Sequence, residues 1–256
     1  MPSYAKYLKL ERLLTSQEPG ADHDEMLFIV IHQTYELWFK EILHELDYLR
    51  TLLARDDLPR SGHTMKRILT ILKVMVAQID ILETMTPLEF LSFRTRLESG
   101  SGFQSAQFRE LEFVLGQKRS SALDNYPAGS DERARLEKRF HATTLWDWFA
   151  GFLGGRGFDI PDEVTERDIT KPPAASPAMQ QTLIGIYRSD PALAEFCERL
   201  VDLDEGLQEW RYRHVKMVER TIGAKPGTGG SAGAEYLHTT LLKPLFPDLW
   251  AIRSAF

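Results

Sequence analysis

Apolar residues recur along most of the chain at the three- and four-residue spacing of an amphipathic helix, and no segment alternates as a strand would. The longest such stretch, residues 24–50, contains no Gly or Pro and predicts one helix about 40 Å long at ~1.5 Å per residue. Asp24 suits the N-cap, and Glu25 suits the positive end of the helix dipole. Residues 26–31 are apolar on every side, which predicts that this end of the helix is buried.

Further segments share the helical period. Residues 64–84 follow a predicted turn at 58–62, so the first two long helices are expected to form a hairpin. Thr86 and Pro87 suit an N-cap and a first helical position, and they predict a third helix that ends at about residue 97. The other predicted helices cover residues 4–14, 103–117, 131–139, 145–149, 191–222 and 234–242. We therefore expect an all-α protein in which residues 1–256 form a single domain and the Gly- and Pro-rich tract 151–177 is a loop excursion.

Composition narrows the class of protein. A chain of 256 residues with 43% hydrophobic and 27% charged residues is typical of a soluble globular protein. The formal net charge of −6 argues against non-specific binding to nucleic acid, which needs a positive surface. No apolar run is long enough for a membrane span or a signal peptide, so we expect no membrane association and a cytoplasmic location. The single cysteine, Cys197, excludes an internal disulfide, and its helical surroundings predict an inert core thiol.

His32 is the first candidate for chemistry. It falls one helical turn after Phe28, and Phe39 lies further along the same side of the predicted helix. A histidine in such apolar surroundings is either a core residue satisfied by a neighbour or the chemical centre of a pocket. The spacing alone leaves both interpretations open.

Arg94 is the second candidate. Phe90, Arg94 and Leu97 share one face of the third predicted helix, and Ser101 follows just beyond its end. An arginine between apolar residues suits a ligand that has both a carboxylate and an apolar body, because its fork pairs with carboxylates bidentately. The alternative is an amphipathic helix whose arginine extends to solvent.

His214 lies near the end of the last long predicted helix, beside two arginines. It could be a surface residue, a cation site or a metal ligand. No other histidine or carboxylate stands three or four residues away, which argues against a zinc or di-iron site built from several protein ligands. A haem needs only one protein ligand, so His32 and His214 together would suit a haem pocket, one on each side.

The stretch 223–233 contains five of the glycines, in GAKPGTGGSAG. It lacks the spacing of a phosphate-binding loop and follows a helix instead of a strand, so it does not indicate a nucleotide site. It is either a flexible connector or a lid that orders when a ligand binds, with Thr228 and backbone amides as donors.

Four segments carry a resemblance to a known family. They are YAKYLKLERLL followed by Gln17, HDEMLFIVIHQTYELWFKEILHEL, SFRTRLESGSGFQSAQFRELEFVLG and RYRHVKMVERTIGAKPGTGGSAG. In this order, they resemble the haem-dependent tryptophan 2,3-dioxygenases over nearly the whole chain. Strings such as SGSGFQS and GTGGS are highly specific to that family.

The resemblance implies an activity and an assembly. Such enzymes insert both atoms of O2 across the indole C2–C3 bond of L-tryptophan, which gives N-formyl-L-kynurenine in the first step of the kynurenine pathway. The family is all-helical and forms an intertwined homotetramer, a dimer of dimers. Each subunit holds one haem b, which is ferrous in the active form.

The resemblance also implies a role for each matching residue. His214 would be the axial ligand of the haem iron, and His32 would be the distal residue that contacts the indole N–H. The residues that would contact the substrate are Phe28, Phe90 and Leu97 around the indole, Arg94 at the carboxylate, Thr228 at the ammonium and carboxylate end, and Ser101 and Gly102 beside haem and substrate. Tyr4, Tyr7 and Leu8 would dock on a neighbouring subunit's pocket as part of the N-terminal segment 1–17.

Two alternatives to this function stay open at the level of sequence. One is a related haem oxygenase that acts on a substituted tryptophan in secondary metabolism, with insertion of a single oxygen atom as one variant. The other is a non-catalytic sensor of haem or tryptophan, which would retain Arg94 and the glycine-rich stretch but not turnover. The retained pocket residues do not favour the first, and product analysis separates all three.

Overall fold

The computed structural model of the chain describes residues 3–98, 100, 102–227 and 234–256. Within these ranges the chain forms helices, turns and loops with no β-strand, which confirms the all-α prediction. Short 3₁₀ turns cover Thr95–Leu97, Gly102–Gln104, Ser120–Asn125 and Ile252–Ala255. The α-helices are, in chain order, α1 (Tyr4–Leu8), α2 (Leu10–Leu14), α3 (His23–Leu53), α4 (Leu58–Leu82), α5 (Pro87–Arg94), α6 (Ala106–Val114), α7 (Asp131–Phe140), α8 (Leu145–Gly155), α9 (Asp162–Thr165), α10 (Pro177–Ser189), α11 (Pro191–Ile222), α12 (Ala234–His238) and α13 (Pro247–Ala251).

Three long helices form the centre of the fold, because α4 packs against both α3 and α11. Their apolar stripes bury Leu46 and Leu49 of α3, Met65 and Ile68 of α4, and Leu200 of α11 completely. Burying a side chain of this size contributes about 1.5–3 kcal/mol relative to an exposed position. The contact between α3 and α4 confirms the predicted hairpin of the first two long helices.

Capping explains why two of the helices begin where the sequence predicted. Asp190 accepts hydrogen bonds from backbone N–H groups in the first turn of α11, so that helix begins at Pro191. Thr86 and Glu89 form a reciprocal capping box at the start of α5, with Pro87 as the first helical residue. These local bonds hold the N-terminus of α5, the helix that carries Phe90 and Arg94.

The beginnings of the two hairpin helices differ from the prediction. The α4 helix begins at Leu58, so the predicted turn at 58–62 is wrong. Asp57 caps this helix, because its side chain accepts a hydrogen bond from the Arg60 N–H at 3.1 Å. Pro59 lies in the first helical turn, which tolerates proline. The α3 helix begins at His23, with Asp22 as its N-cap residue. Asp24 therefore lies in the first turn, and its prediction as the cap is wrong.

The prediction that residues 26–31 are buried is also wrong for the single chain. Ile31 is buried, but Met26 and Val30 are 41% and 40% exposed. Phe28 packs on Phe90 and Phe93, so α5 covers this end of α3 on one side. The opposite side has no covering helix among the described residues, which leaves Met26 and Val30 at the surface.

Several other boundaries shift by a few residues. The predicted helix 4–14 is two helices, because Lys9 adopts a left-handed conformation with φ of 54°. The helix predicted at 145–149 continues to Gly155, and α9 interrupts the predicted loop tract 151–177. The helices predicted at 103–117 and 234–242 are shorter, and α10 follows the loop tract directly. Among the described helices, none has the length and apolarity that crossing a membrane requires.

Candidate functional site

A cavity of about 240 Å³ lies between α3, α5, α6 and α11. It brings together predicted residues from distant parts of the chain. Those that line it are Phe28, His32, Phe90, Arg94, Leu97, Gly102 and His214. The lining is largely apolar, with the two imidazoles and Arg94 among its polar groups.

His32 projects into the cavity from α3. Its Nδ1 lies 2.7 Å from the Phe28 carbonyl oxygen, and because a carbonyl only accepts, Nδ1 carries the proton that forms this bond. Burial lowers the pKa of His32, outweighing the Phe28 bond and the nearby charge of Glu36, both of which raise it. The neutral ring is therefore the stable form at pH 7, and its Nε2 is an acceptor.

An aromatic wall surrounds this histidine. The Phe28 ring lies 4.0 Å from the His32 ring between centroids. Phe90 and Phe93 lie 5.9 and 5.5 Å from Phe28, in tilted and edge-on arrangements. Such a wall offers flat apolar surface to a planar ring system.

Arg94 lies at the C-terminal end of α5, where its side chain is half-buried. One of its Nη2 hydrogens is donated to the Pro226 carbonyl oxygen at 2.6 Å. Pro226 belongs to the glycine-rich stretch, so this bond joins the arginine to the start of that segment. The structure thereby brings two separately predicted features together.

His214 enters the cavity from α11. Its ring stacks on Trp210 with 5.4 Å between centroids and 11° between planes. Burial, with a smaller contribution from the charge that His32 would carry, lowers the pKa of His214 to about 4. Within the described ranges neither ring nitrogen forms a hydrogen bond to protein. A neutral imidazole with a free lone pair is the form that binds metals.

One further cluster in the cavity wall was not predicted from the sequence. Glu112 is buried, and its carboxylate receives hydrogen bonds from Arg109, Arg119 and Arg211. Burial alone would raise the pKa of Glu112, but the three positive charges together lower it below its usual value. The sequence signal for this cluster is that Arg109 and Glu112 lie three residues apart, which places them on one face of α6.

The remaining predicted residues do not join the site in this chain. Tyr4 and Tyr7 are 76% and 73% exposed, and neither they nor Leu8 line the cavity. Ser101 and Thr228 lie outside the described residues.

The fold and the cavity define a class: an all-helical protein in which an apolar cavity contains two neutral imidazoles and an arginine at its edge. Within that class, the chain belongs to the tryptophan 2,3-dioxygenase family, whose model matches residues 2–144 and 154–256. This confirms the resemblance seen in the sequence.

Curated relatives agree with this membership. A tryptophan 2,3-dioxygenase of Herpetosiphon aurantiacus is 59% identical over 255 residues, which cover 98% of this chain and 97% of the relative. One from Anaeromyxobacter sp. strain K is 53% identical, with 99% and 96% covered. One from Caulobacter vibrioides is 44% identical, with 98% and 97% covered.

Proposed function

We propose that this chain inserts both atoms of O2 across the indole C2–C3 bond of L-tryptophan and releases N-formyl-L-kynurenine, the entry to the kynurenine pathway. The observation that carries the proposal is one cavity that contains a neutral imidazole without a protein partner in the described ranges, His214, together with His32 and Arg94. The chain has a single cysteine, Cys197, and its thiol is free and buried. A free thiol suits the reducing cytoplasm, where we place the reaction.

The residues around His214 fit a haem b. Within the described ranges, no group of three or more His, Cys, Asp or Glu side chains could hold a metal ion by itself. A haem brings four nitrogen ligands of its own, so His214 would suffice as the protein ligand. Ile79, Leu82 and Val215 give the cavity the apolar lining that a porphyrin ring requires. When bound, ferrous haem supplies the activation of O2, while the protein supplies orientation and exclusion of water.

The other side chains have complementary roles toward L-tryptophan. Arg94 would pair with the carboxylate, and its present bond to Pro226 uses only one of five N–H donors. Phe28, Phe90 and Leu97 would enclose the indole. Thr228 would contact the ammonium and carboxylate end, and Ser101 and Gly102 would lie beside haem and substrate. Holding the indole carbons and O2 in one orientation removes much of the entropic part of the barrier.

His32 would accept the indole N–H. Its Nδ1 proton is committed to the Phe28 carbonyl, so its Nε2 can only accept. An indole nitrogen can only donate, which makes the two groups complementary. His32 is thus an orienting partner for the substrate and need not remove a proton.

The assembly that we propose is a homotetramer, a dimer of dimers, in which Tyr4, Tyr7 and Leu8 dock on a neighbouring subunit. The exposure of these side chains supports the proposal, as does that of Met26 and Val30, since large apolar side chains clustered at a surface mark protein contacts. Light scattering coupled to gel filtration tests it, and a monomer at micromolar concentration would contradict it.

Product analysis tests the proposed reaction. Haem-loaded protein is reduced without oxygen, mixed with L-tryptophan and exposed to ¹⁸O2, and the product is followed by absorbance and mass. We expect N-formylkynurenine that contains two labelled oxygen atoms. A product with one labelled oxygen, turnover only with a substituted tryptophan, or no product would overturn the proposal.

A further inference from the structure

A cluster of charged residues lies outside the cavity, at the beginning of α3. The Arg96 guanidinium pairs with the carboxylate of Glu25 and, at 3.1 Å between Nη2 and Oδ2, with Asp22. The same Glu25 carboxylate accepts the backbone N–H of Gly20. We call Gly20, Asp22, Glu25 and Arg96 the Arg96 clamp.

The Arg96 clamp joins two segments that carry cavity-lining residues. Arg96 lies in the 3₁₀ turn Thr95–Leu97, between Arg94 and Leu97, whose side chains line the cavity. Glu25 lies three residues before Phe28, another lining residue, on α3. The clamp therefore fastens the turn that presents Arg94 and Leu97 to the helix that presents Phe28 and His32.

The turn itself is short and depends on such a fastening. It ends at Glu98, which adopts a positive φ of 47°, and the Gly100 N–H closes it by donating to the Leu97 carbonyl. Three residues of 3₁₀ helix give little stability of their own. Glu25 is 8% exposed, whereas the Arg96 side chain is 40% exposed, so solvent reaches this ion pair from the arginine side only.

Gly20 completes the clamp by leaving room for it. A Cβ atom built on Gly20 would overlap the Arg96 guanidinium, so any larger residue must shift that end of the arginine side chain relative to Glu25 and Asp22. The backbone of Gly20 is not in the left-handed region, so a larger residue there would act on Arg96 through the space it occupies and not through backbone strain. Gly20 also belongs to the linker between the N-terminal helices α1–α2 and α3, which joins that linker to the clamp.

We propose that Arg96 is a positioning residue that sets the placement of Arg94 and Leu97 and thereby the affinity for the amino-acid end of the substrate. This inference rests on the proposed function. A shift of the turn by about 1 Å would misalign Arg94 with the substrate carboxylate and so weaken binding of the substrate. The clamp also makes that placement depend on the position of the N-terminal linker.

The test compares KM for L-tryptophan, kcat and the melting temperature in haem-loaded Arg96→Met, Arg96→Lys, Gly20→Ala and the Gly20→Ala/Arg96→Met double variant. Arg60→Met is the matched control, because Arg60 pairs with Asp57 in the first turn of α4 and does not line the cavity. We expect KM to rise about tenfold in Arg96→Met, with kcat within about threefold, since the loss lies mainly in ground-state binding. Arg96→Lys should show a smaller rise.

Gly20→Ala should raise KM to a similar extent, and the double variant should be no worse than Arg96→Met, because both changes break the same contacts. Arg60→Met should leave KM unchanged. A melting temperature that falls while KM stays constant, a fall in kcat alone, or additive effects of Gly20→Ala and Arg96→Met would overturn the inference. Inactive wild-type protein would instead refute the proposed function, so the two failures are distinguishable.

Discussion

The Nδ1 proton of His32 is bound by the carbonyl oxygen of Phe28, one helical turn earlier, at 2.7 Å. This bond selects the tautomer of the ring and leaves Nε2 as an acceptor on the cavity side of α3. The helix therefore sets the orientation and the hydrogen-bonding character of the side chain that would meet the indole.

Replacing His32 with Ala should lower kcat/KM for L-tryptophan about tenfold, because one neutral hydrogen bond contributes ~1 kcal/mol or slightly more. Haem content should not change. The loss of kcat/KM in this variant should be smaller with 1-methyl-L-tryptophan as the substrate, because that compound has no indole N–H to donate. Loss of haem from this variant would contradict the assigned role.

Replacing His214 with Ala should abolish stable haem binding, because the variant lacks the imidazole that we propose as the protein ligand of the haem iron. The measurement is the ratio of haem to protein after reconstitution, with far-ultraviolet circular dichroism to show that the helices persist. His32→Ala is the matched control, since its ring lines the same cavity. Full haem content in His214→Ala would show that another residue holds the iron.

Replacing Arg94 with Met should raise KM for L-tryptophan roughly 10- to 100-fold, because a charge-assisted bond contributes about 1.5–3 kcal/mol. The variant should lose its preference for L-tryptophan over tryptamine, which lacks the carboxylate, in competitive binding. Arg94→Lys should retain part of that preference, since it keeps the charge but not the fork. An unchanged preference in Arg94→Met would place the carboxylate elsewhere.

Replacing Glu112 with Gln should destabilise the fold by about 3–5 kcal/mol, the usual cost of removing one partner from a buried ion pair. The three arginines that donate to this carboxylate would then lose their common counter-charge. Glu137→Gln is the control, because Glu137 forms an exposed pair with Arg133 that contributes about 0.5 kcal/mol or less. Urea unfolding of the haem-free protein measures both, and equal losses would contradict the prediction.

Cys197 should be unreactive in the native protein. Burial, chiefly, raises the pKa of its thiol to about 12, so almost no thiolate exists at pH 8. A thiol-specific reagent such as dithiobis(nitrobenzoate) should label it only in denaturant. The unfolded chain ionises this thiol near pH 9 and the folded chain does not, so its contribution to stability is lost as the pH rises above 9. The Cys197→Ala variant should lack this contribution to the loss of stability above pH 9. Rapid labelling of Cys197 in the native protein would contradict its burial.

The sequence by itself determined the features that depend on short windows of chain. The period of apolar positions predicted the helices, and the residue types at Thr86 and Asp190 suit the N-caps of α5 and α11. The shared face of Phe90, Arg94 and Leu97 follows from helical spacing, although its last residue lies in a 3₁₀ turn. The family was also evident from four local motifs. Such features arise from hydrogen bonds and spacings within a few residues, which sequence displays directly.

The tertiary structure alone decided which of these features meet. It placed His32, Arg94 and His214 around one cavity, supplied three arginines to Glu112, and left Met26 and Val30 uncovered. It also joined Arg96 to Glu25 across the space left by Gly20. Packing between helices depends on the fit of whole surfaces and on the balance of many small free-energy contributions. No short segment of the sequence therefore predicts it.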